Sequence, residues 1–147
     1  MLGNRDYEAM YVAWDTARCY IGTWYKWGGD DPAGFDCSGF VGELLRSAGV
    51  LTDGPKLNAA MLYEKFKIKK VKRPYRGCLV FCFKDNVCKH VEFMRDDQRT
   101  MGASGGGPHI DSPQDAIAAN AFIKTRPISR LTNKGFDTFV FVDPFKN

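Results

Sequence analysis

Apolar residues recur at helical spacing over the first stretch of the chain, at Tyr7, Met10, Tyr11, Trp14, Ala17 and Ile21. That period predicts a helix from about Arg5 to Ile21, stopped by Gly22. A loop rich in Gly, Pro and Asp, GGDDPAG at Gly28 to Gly34, separates it from a second amphipathic run. There Phe40, Val41, Leu44, Leu45 and Ala48 make one stripe, which predicts a helix from about Cys37 to Ala48 closed by Gly49. A short third helix is expected to start near Asn58 as its N-cap, with Leu57 and Leu62 set as a hydrophobic staple.

After Pro74 the pattern turns from helix to strand. CLVFCF (Cys78 to Phe83) and HVEFM (His90 to Met94) are rich in apolar, β-branched and aromatic residues, and RDDQ after HVEFM reads as a hairpin turn. AFIKTRP (Ala121 to Pro127) and FDTFVFV (Phe136 to Val142) supply two more strands. GASGGGPHIDSP, Gly102 to Pro113, is too rich in Gly and Pro for either element and reads as a mobile loop. Helices first and strands afterwards predict an α+β fold with an antiparallel sheet packed against the second helix. With no repeat, long linker or break in composition, one domain over residues 1–147 is expected.

Composition narrows the function classes. A chain of 147 residues, 44% hydrophobic and 26% charged, has the make-up of a soluble protein with one core. No apolar run is long enough to span a bilayer, so membrane insertion is not expected. The opening MLGNRDYEAMYVAWD carries early acids and lacks an apolar signal core, which predicts synthesis in a cytoplasm without a signal peptide. Five cysteines cannot all pair, and free thiols are the expectation. The net charge of +4 is concentrated in KFKIKKVKRPYR, Lys65 to Arg76. That run reads as a solvated sheet edge whose lysines discourage strand addition, or as an attraction to an envelope polyanion. It lacks the interleaved aromatics of a base-stacking platform, so nucleic acid is not an expected partner. Nothing calls for a partner chain, and a monomer is expected.

The candidate chemistry centres on GFDCSGF, Gly34 to Phe40. A cysteine nucleophile acts as the thiolate, and a helix N-terminus and a nearby imidazole both favour that form. Cys37 stands where the second helix should begin, with Asp36 as a candidate N-cap. Gly34 and Gly39 would let backbone approach a substrate carbonyl. Only His90 and His109 can supply an imidazole. His90 opens a strand and should share a face with Glu92, which makes Cys37 and His90 a nucleophile and base drawn from separate elements.

These residues carry a resemblance. Ile21 to Val50, IGTWYKWGGDDPAGFDCSGFVGELLRSAGV, resembles the signature of NlpC-type cell-wall cysteine peptidases, the papain-like NlpC/p-sixty family. The matching positions are Gly22, Tyr25, Trp27, Gly28, Gly29, Gly34, Phe35, Asp36, Cys37, Ser38 and Gly39. RGCLVFC, KHVEFM and TRPISR are similar to later segments of that family. The resemblance implies a papain-like α+β fold with the nucleophile helix on an antiparallel sheet. It implies Cys37 as nucleophile, His90 as base, Tyr25 at the catalytic centre, and Asp36 and Ser38 holding the substrate's amino end. The implied substrate is a peptidoglycan stem peptide, cut between D-glutamate and a diamino acid such as diaminopimelate, with no metal or organic cofactor. The implied place of action is the cell wall or periplasmic peptidoglycan, as a phage lysis or tail enzyme or an injected amidase toxin.

Two positions depart from that pattern. The residue that orients the histidine should lie on the following strand, where this chain has Gly102, which has no side chain. His109 is the expected substitute, with Ser104 and Glu92 as alternatives. Cys78 stands where an aspartate is common. Cys78 and Cys82 should share a strand face, and with Cys88 they make a loose trio that fits no zinc spacing. Gly102 also leaves open a non-catalytic papain-like module, and a thiol hydrolase acting on a non-wall amide remains a third reading.

Overall fold

The computed structural model describes residues 4–26, 28–31, 34–103 and 110–147. Helix α1 spans Tyr7–Cys19, begun by Asp6, whose carboxylate accepts the Ala9 N–H at 2.9 Å. A minimal hairpin, β1 (Asp30–Asp31) and β2 (Gly34–Phe35), leads into α2 (Cys37–Ser47), which is capped by Asp36. Helix α3 (Ala59–Phe66) starts from Asn58, whose side chain accepts the Met61 N–H at 2.9 Å. The predicted helices thus form where local capping and apolar stripes call for them.

The rest is a six-stranded antiparallel sheet in the order β3-β8-β4-β5-β6-β7. The strands are β3 (Lys70–Val71), β4 (Leu79–Lys84), β5 (Val87–Met94), β6 (Arg99–Ala103), β7 (Ile123–Pro127) and β8 (Thr138–Val142). Strand β4 runs one residue and β5 three residues further toward each other than the pattern predicts. They meet in a two-residue turn in which Asp85 (φ 51°) and Asn86 (φ 64°) both take the left-handed conformation. The expected loop at residues 102–113 is shorter at both ends, because Gly102 and Ala103 belong to β6 and Pro113 begins α4 (Pro113–Ala119). Short 3-10 segments occupy Lys67–Lys69 and Ile128–Lys134. The basic run includes a sheet edge: among the described residues β3 pairs only with β8, and Lys67, Lys70, Lys72 and Arg73 are exposed. Among the described residues no helix is long and apolar enough to cross a membrane.

Strand alternation sends side chains to two cores. Leu79 and Phe81 of β4 and Val91 and Phe93 of β5 join Phe40, Val41, Leu44 and Leu45 of α2 and Met10, Ala13 and Ala17 of α1. Cys78, Val80, Cys82 and Met94 take the opposite side with Leu131. Cys78 and Cys82 do share a face, while Cys88 packs against the first core, so the cysteine trio is split across the sheet.

The chain ends are tied together beneath the first core. Arg5 and Asp143, with side chains 1% and 0% exposed, form an ion pair at 3.0 Å. Tyr75 Oη donates to the same carboxylate at 2.8 Å, and Arg5 also donates to the Arg76 carbonyl at 3.1 Å. Removing one partner of such a pair strands a buried charge, at a cost of roughly 3–5 kcal/mol. Asp143→Ala is therefore expected to lose about 3 kcal/mol or more of stability, read from urea denaturation midpoints. A loss below about 1 kcal/mol would show that the clasp contributes little.

Candidate active site

Cys37 is the first residue of α2, so its sulfur lies at the helix end where amide N–H groups point outward. Asp36 holds that end in place by accepting the Gly39 N–H on Oδ1 at 2.7 Å. The glycines around it serve packing. A Cβ on Gly39 would collide with the Gly29 carbonyl oxygen, which itself accepts the Asp36 N–H at 3.0 Å. Gly39 therefore admits the preceding loop, where the sequence suggested room for a substrate carbonyl. Gly34 is likewise closed in by the side chains of Lys26 and Trp24.

His90 reaches the sulfur from β5. The register slips between Cys82 and Phe83: Cys82 lies opposite His90, but Phe83 lies opposite Cys88, which leaves Lys89 unpaired in a bulge. The bulge turns Cys88 into the first core and leaves His90 on the other side, facing the cleft. The His90 side chain is 12% exposed, stacks on Phe136 with ring centroids 5.8 Å apart, and hydrogen-bonds the Cys37 side chain. Its Nε2 lies 2.5 Å from Oε2 of Glu92.

Glu92 is wholly buried. Its carboxylate accepts from Thr100 Oγ1 at 2.5 Å and from Arg130 Nη2 at 2.6 and 2.7 Å. Burial alone would raise its pKa, but His90, Arg130 and Thr100 together pull it down to about 2. Burial alone would likewise lower that of His90, yet the Cys37 sulfur and the Glu92 carboxylate raise it to about 10. A Cβ on Gly102 would stand 2.6 Å from Glu92 Cγ and 2.7 Å from its Cδ. Gly102 is thus bare because Glu92, from the neighbouring strand, fills the space above it. The expected substitutes His109 and Ser104 lie outside the described residues, as does Trp27. Among the described residues, the partner of His90 away from the sulfur is Glu92.

The remaining predicted residues line the same cleft. Tyr25 is 6% exposed, and burial, with Cys37 and Asp36 nearby, keeps its phenol protonated well above the ordinary tyrosine range. Ser38 donates to Asp36 Oδ1 at 3.4 Å. Asp36 Oδ2 accepts the Gly28 N–H at 3.2 Å and forms an ion pair with Lys56 Nζ at 2.5 Å. Sequence reasoning missed Lys56, Thr100 and Phe136. Arg130 closes the TRPISR segment, whose similarity was visible while its contact with Glu92 was not. The thiols held in the sheet are poor nucleophiles: burial pushes Cys78 up to about 12, Cys88 up to about 11, and Cys82 upward as well. Among the described residues no group of side chains could hold a metal ion.

Comparison with known proteins gives the family and the fold. The sequence profile of the NlpC/P60 family matches residues 22–127. The chain is 38% identical over 98 residues to dipeptidyl-peptidase 6 of Lysinibacillus sphaericus, and 34% identical over 96 residues to protein P54 of Enterococcus faecium. Each match covers 65% of this chain, but only 33% and 16% of the respective relative. The fold superposes on the peptidoglycan hydrolase RipB from Mycobacterium tuberculosis with a TM-score of 0.70. That alignment covers 96% of this chain and 67% of RipB at 22% identity, a likeness of fold alone.

The His90–Glu92 pair fixes a pH window. The raised pKa of His90 adds stability that is complete below its ordinary 6.5 and is lost as pH rises through about 10. The lowered pKa of Glu92 adds stability that is complete above its ordinary 4.5 and is lost as pH falls through about 2. Glu92→Gln is thus expected to be most destabilising between pH 4.5 and 6.5 and to move the His90 midpoint from about 10 toward 6.5. With two histidines in the chain, an NMR titration resolves the shift. A His90 midpoint unmoved by Glu92→Gln would refute the coupling.

Proposed function

The chain belongs to the NlpC/P60 family, and on that premise we propose that it is a cysteine endopeptidase of peptidoglycan stem peptides. The observation that carries the reading is the line Cys37–His90–Glu92 on the wall of an open cleft. In this reading the bond cut is the amide between D-glutamate and a diamino acid, and the place of action is the cell wall.

The reaction follows from the order of the groups. The Cys37 thiolate attacks the carbonyl carbon of the scissile amide, and amides at the start of α2 stabilise the oxyanion. His90, held as imidazolium by Glu92, gives its proton to the leaving amine as the C–N bond breaks. The neutral imidazole then takes a proton from water. The hydroxide attacks the thioester, and the acid product leaves as the thiolate and imidazolium re-form. Glu92 stays ionised throughout and acts as a positioning residue, fixing the ring's angle and favouring its charged form. Phe136 limits the ring from its face. The non-catalytic alternative drew its force from a bare Gly102, and Glu92 in that space supports the catalytic reading over it.

Incubation of the protein with purified peptidoglycan, followed by mass spectrometry of released fragments, tests the reading. Wild type is expected to release fragments ending at the D-glutamyl carboxyl, and Cys37→Ala none. Glu92→Gln should reduce kcat/KM by roughly 10²-fold or more, while His109→Ala retains activity. Equal fragment release by wild type and Cys37→Ala would end the proposal. A dominant loss in His109→Ala would transfer the positioning role.

A further inference from the structure

Asp36 is the only acid among the described residues that line the cleft, where Lys56, Lys89, Arg130 and Lys134 also stand. A ligand ammonium bound beside Cys37 would therefore look to this carboxylate for its counter-charge. Both of its oxygens are already taken. Oδ1 accepts the Gly39 N–H at 2.7 Å and the Ser38 hydroxyl at 3.4 Å. Oδ2 accepts the Gly28 N–H at 3.2 Å and Lys56 Nζ at 2.5 Å. Two donors on each oxygen fill the acceptor capacity of a carboxylate. The Lys56 and Asp36 side chains are 26% and 12% exposed, so the pair is shielded without being sealed off. Asp36 cannot turn to a new partner, because the same oxygen that accepts the Gly39 N–H fixes the start of α2 and the position of Cys37.

We propose that Lys56 is a specificity-determining residue that closes the cleft to peptides with a free amino terminus. It directs the site to peptides whose amino end is acylated, as in a stem still amide-linked to its glycan. The proposal rests on the stem-peptide reading above and goes beyond it by naming the substrate form. The resemblance alone implied that Asp36 and Ser38 hold the substrate's amino end, which a free ammonium would suit. Here an ammonium of the protein's own stands at that carboxylate. An incoming ammonium must displace Lys56 or sit beside it as a like charge, a repulsion of the kind that specificity uses. An acylated end brings no charge. Its carbonyl can accept from Lys56, whose ammonium carries three N–H donors and gives one to Asp36.

The test compares L-Ala-γ-D-Glu-diaminopimelate with its Nα-acetyl form, using calorimetric binding to Cys37→Ala so that no turnover intervenes. The acetylated peptide is expected to bind about tenfold tighter or more. Adding Lys56→Met, or Lys56→Gln should the first variant melt early, is expected to raise affinity for the free amine and to abolish or invert the ratio. The inference is overturned if Cys37→Ala binds the free amine as well as the acetylated peptide, if it binds neither, or if the ratio survives both Lys56 variants. Failure of the parent reading looks different: wild type then releases no more from peptidoglycan than Cys37→Ala does.

Discussion

Glu92 carries a negative charge at a position with no exposed surface, and most of the site follows from how that charge is accommodated. An unpaired carboxylate there would cost several kcal/mol. Thr100 on β6, Arg130 on the 3-10 segment after β7, and His90 two residues back on β5 share the task. Each comes from a different part of the sheet layer, so the carboxylate ties β5, β6 and the segment after β7 together. The same contact that orients His90 also anchors the strands that place it. A side chain at 102 would occupy the volume Glu92 needs, and glycine there is the counterpart of a large acid at 92.

The parts of this arrangement differ in how far they could be read from the sequence. Asp36, Asn58 and Asp6 cap their helices through hydrogen bonds that span three residues, so sequence spacing alone predicts them. Ser112 with Pro113 is a signal of the same kind: Ser112 Oγ accepts the Asp115 N–H at 3.1 Å, but the neighbouring glycines hid it in an expected loop. The Asp85–Asn86 turn was legible in principle, since both residue types tolerate the left-handed conformation its geometry demands. Glu92 was different. Its adjacency to His90 was visible, but its burial depends on Arg130, thirty-eight residues on, and on strand register that a bulge shifts by one. No local pattern carries that information. Lys56 reaches Asp36 across twenty residues for the same reason.

Bulge and pairing explain why the site lies where it does. Among the described residues, β5 and β6 are in register at Phe93 with Met101 and Met94 with Thr100. Before that point β5 pairs with β4, carries the bulged Lys89, and presents His90 toward the start of α2. A continuous ladder there would hold its side chains strictly perpendicular to the sheet. The bulge at Lys89 re-aims the ring toward the sulfur, and stacking on Phe136 limits how far it turns.

Three carboxylates in this molecule illustrate one rule, with the exposure of a charged partner rising from Arg5 to His90 to Lys56. Asp143, Glu92 and Asp36 each meet a cation distant in sequence, together with neutral donors from backbone or hydroxyl groups. Asp143 is sealed, with a side chain 0% exposed, and its pairing with Arg5 can only hold the termini together. Glu92 is equally sealed except toward His90, so its charge has one outlet, the protonation state of that ring. Asp36 lies at the cleft surface, where its cation is itself partly exposed and a ligand can compete for it. As the partner's solvent access rises, the same ion-pair chemistry passes from stability to proton control and, in the role proposed for Lys56, to selectivity. What separates the three is the reach of water, because desolvation decides whether a charge pair can be exchanged or only kept.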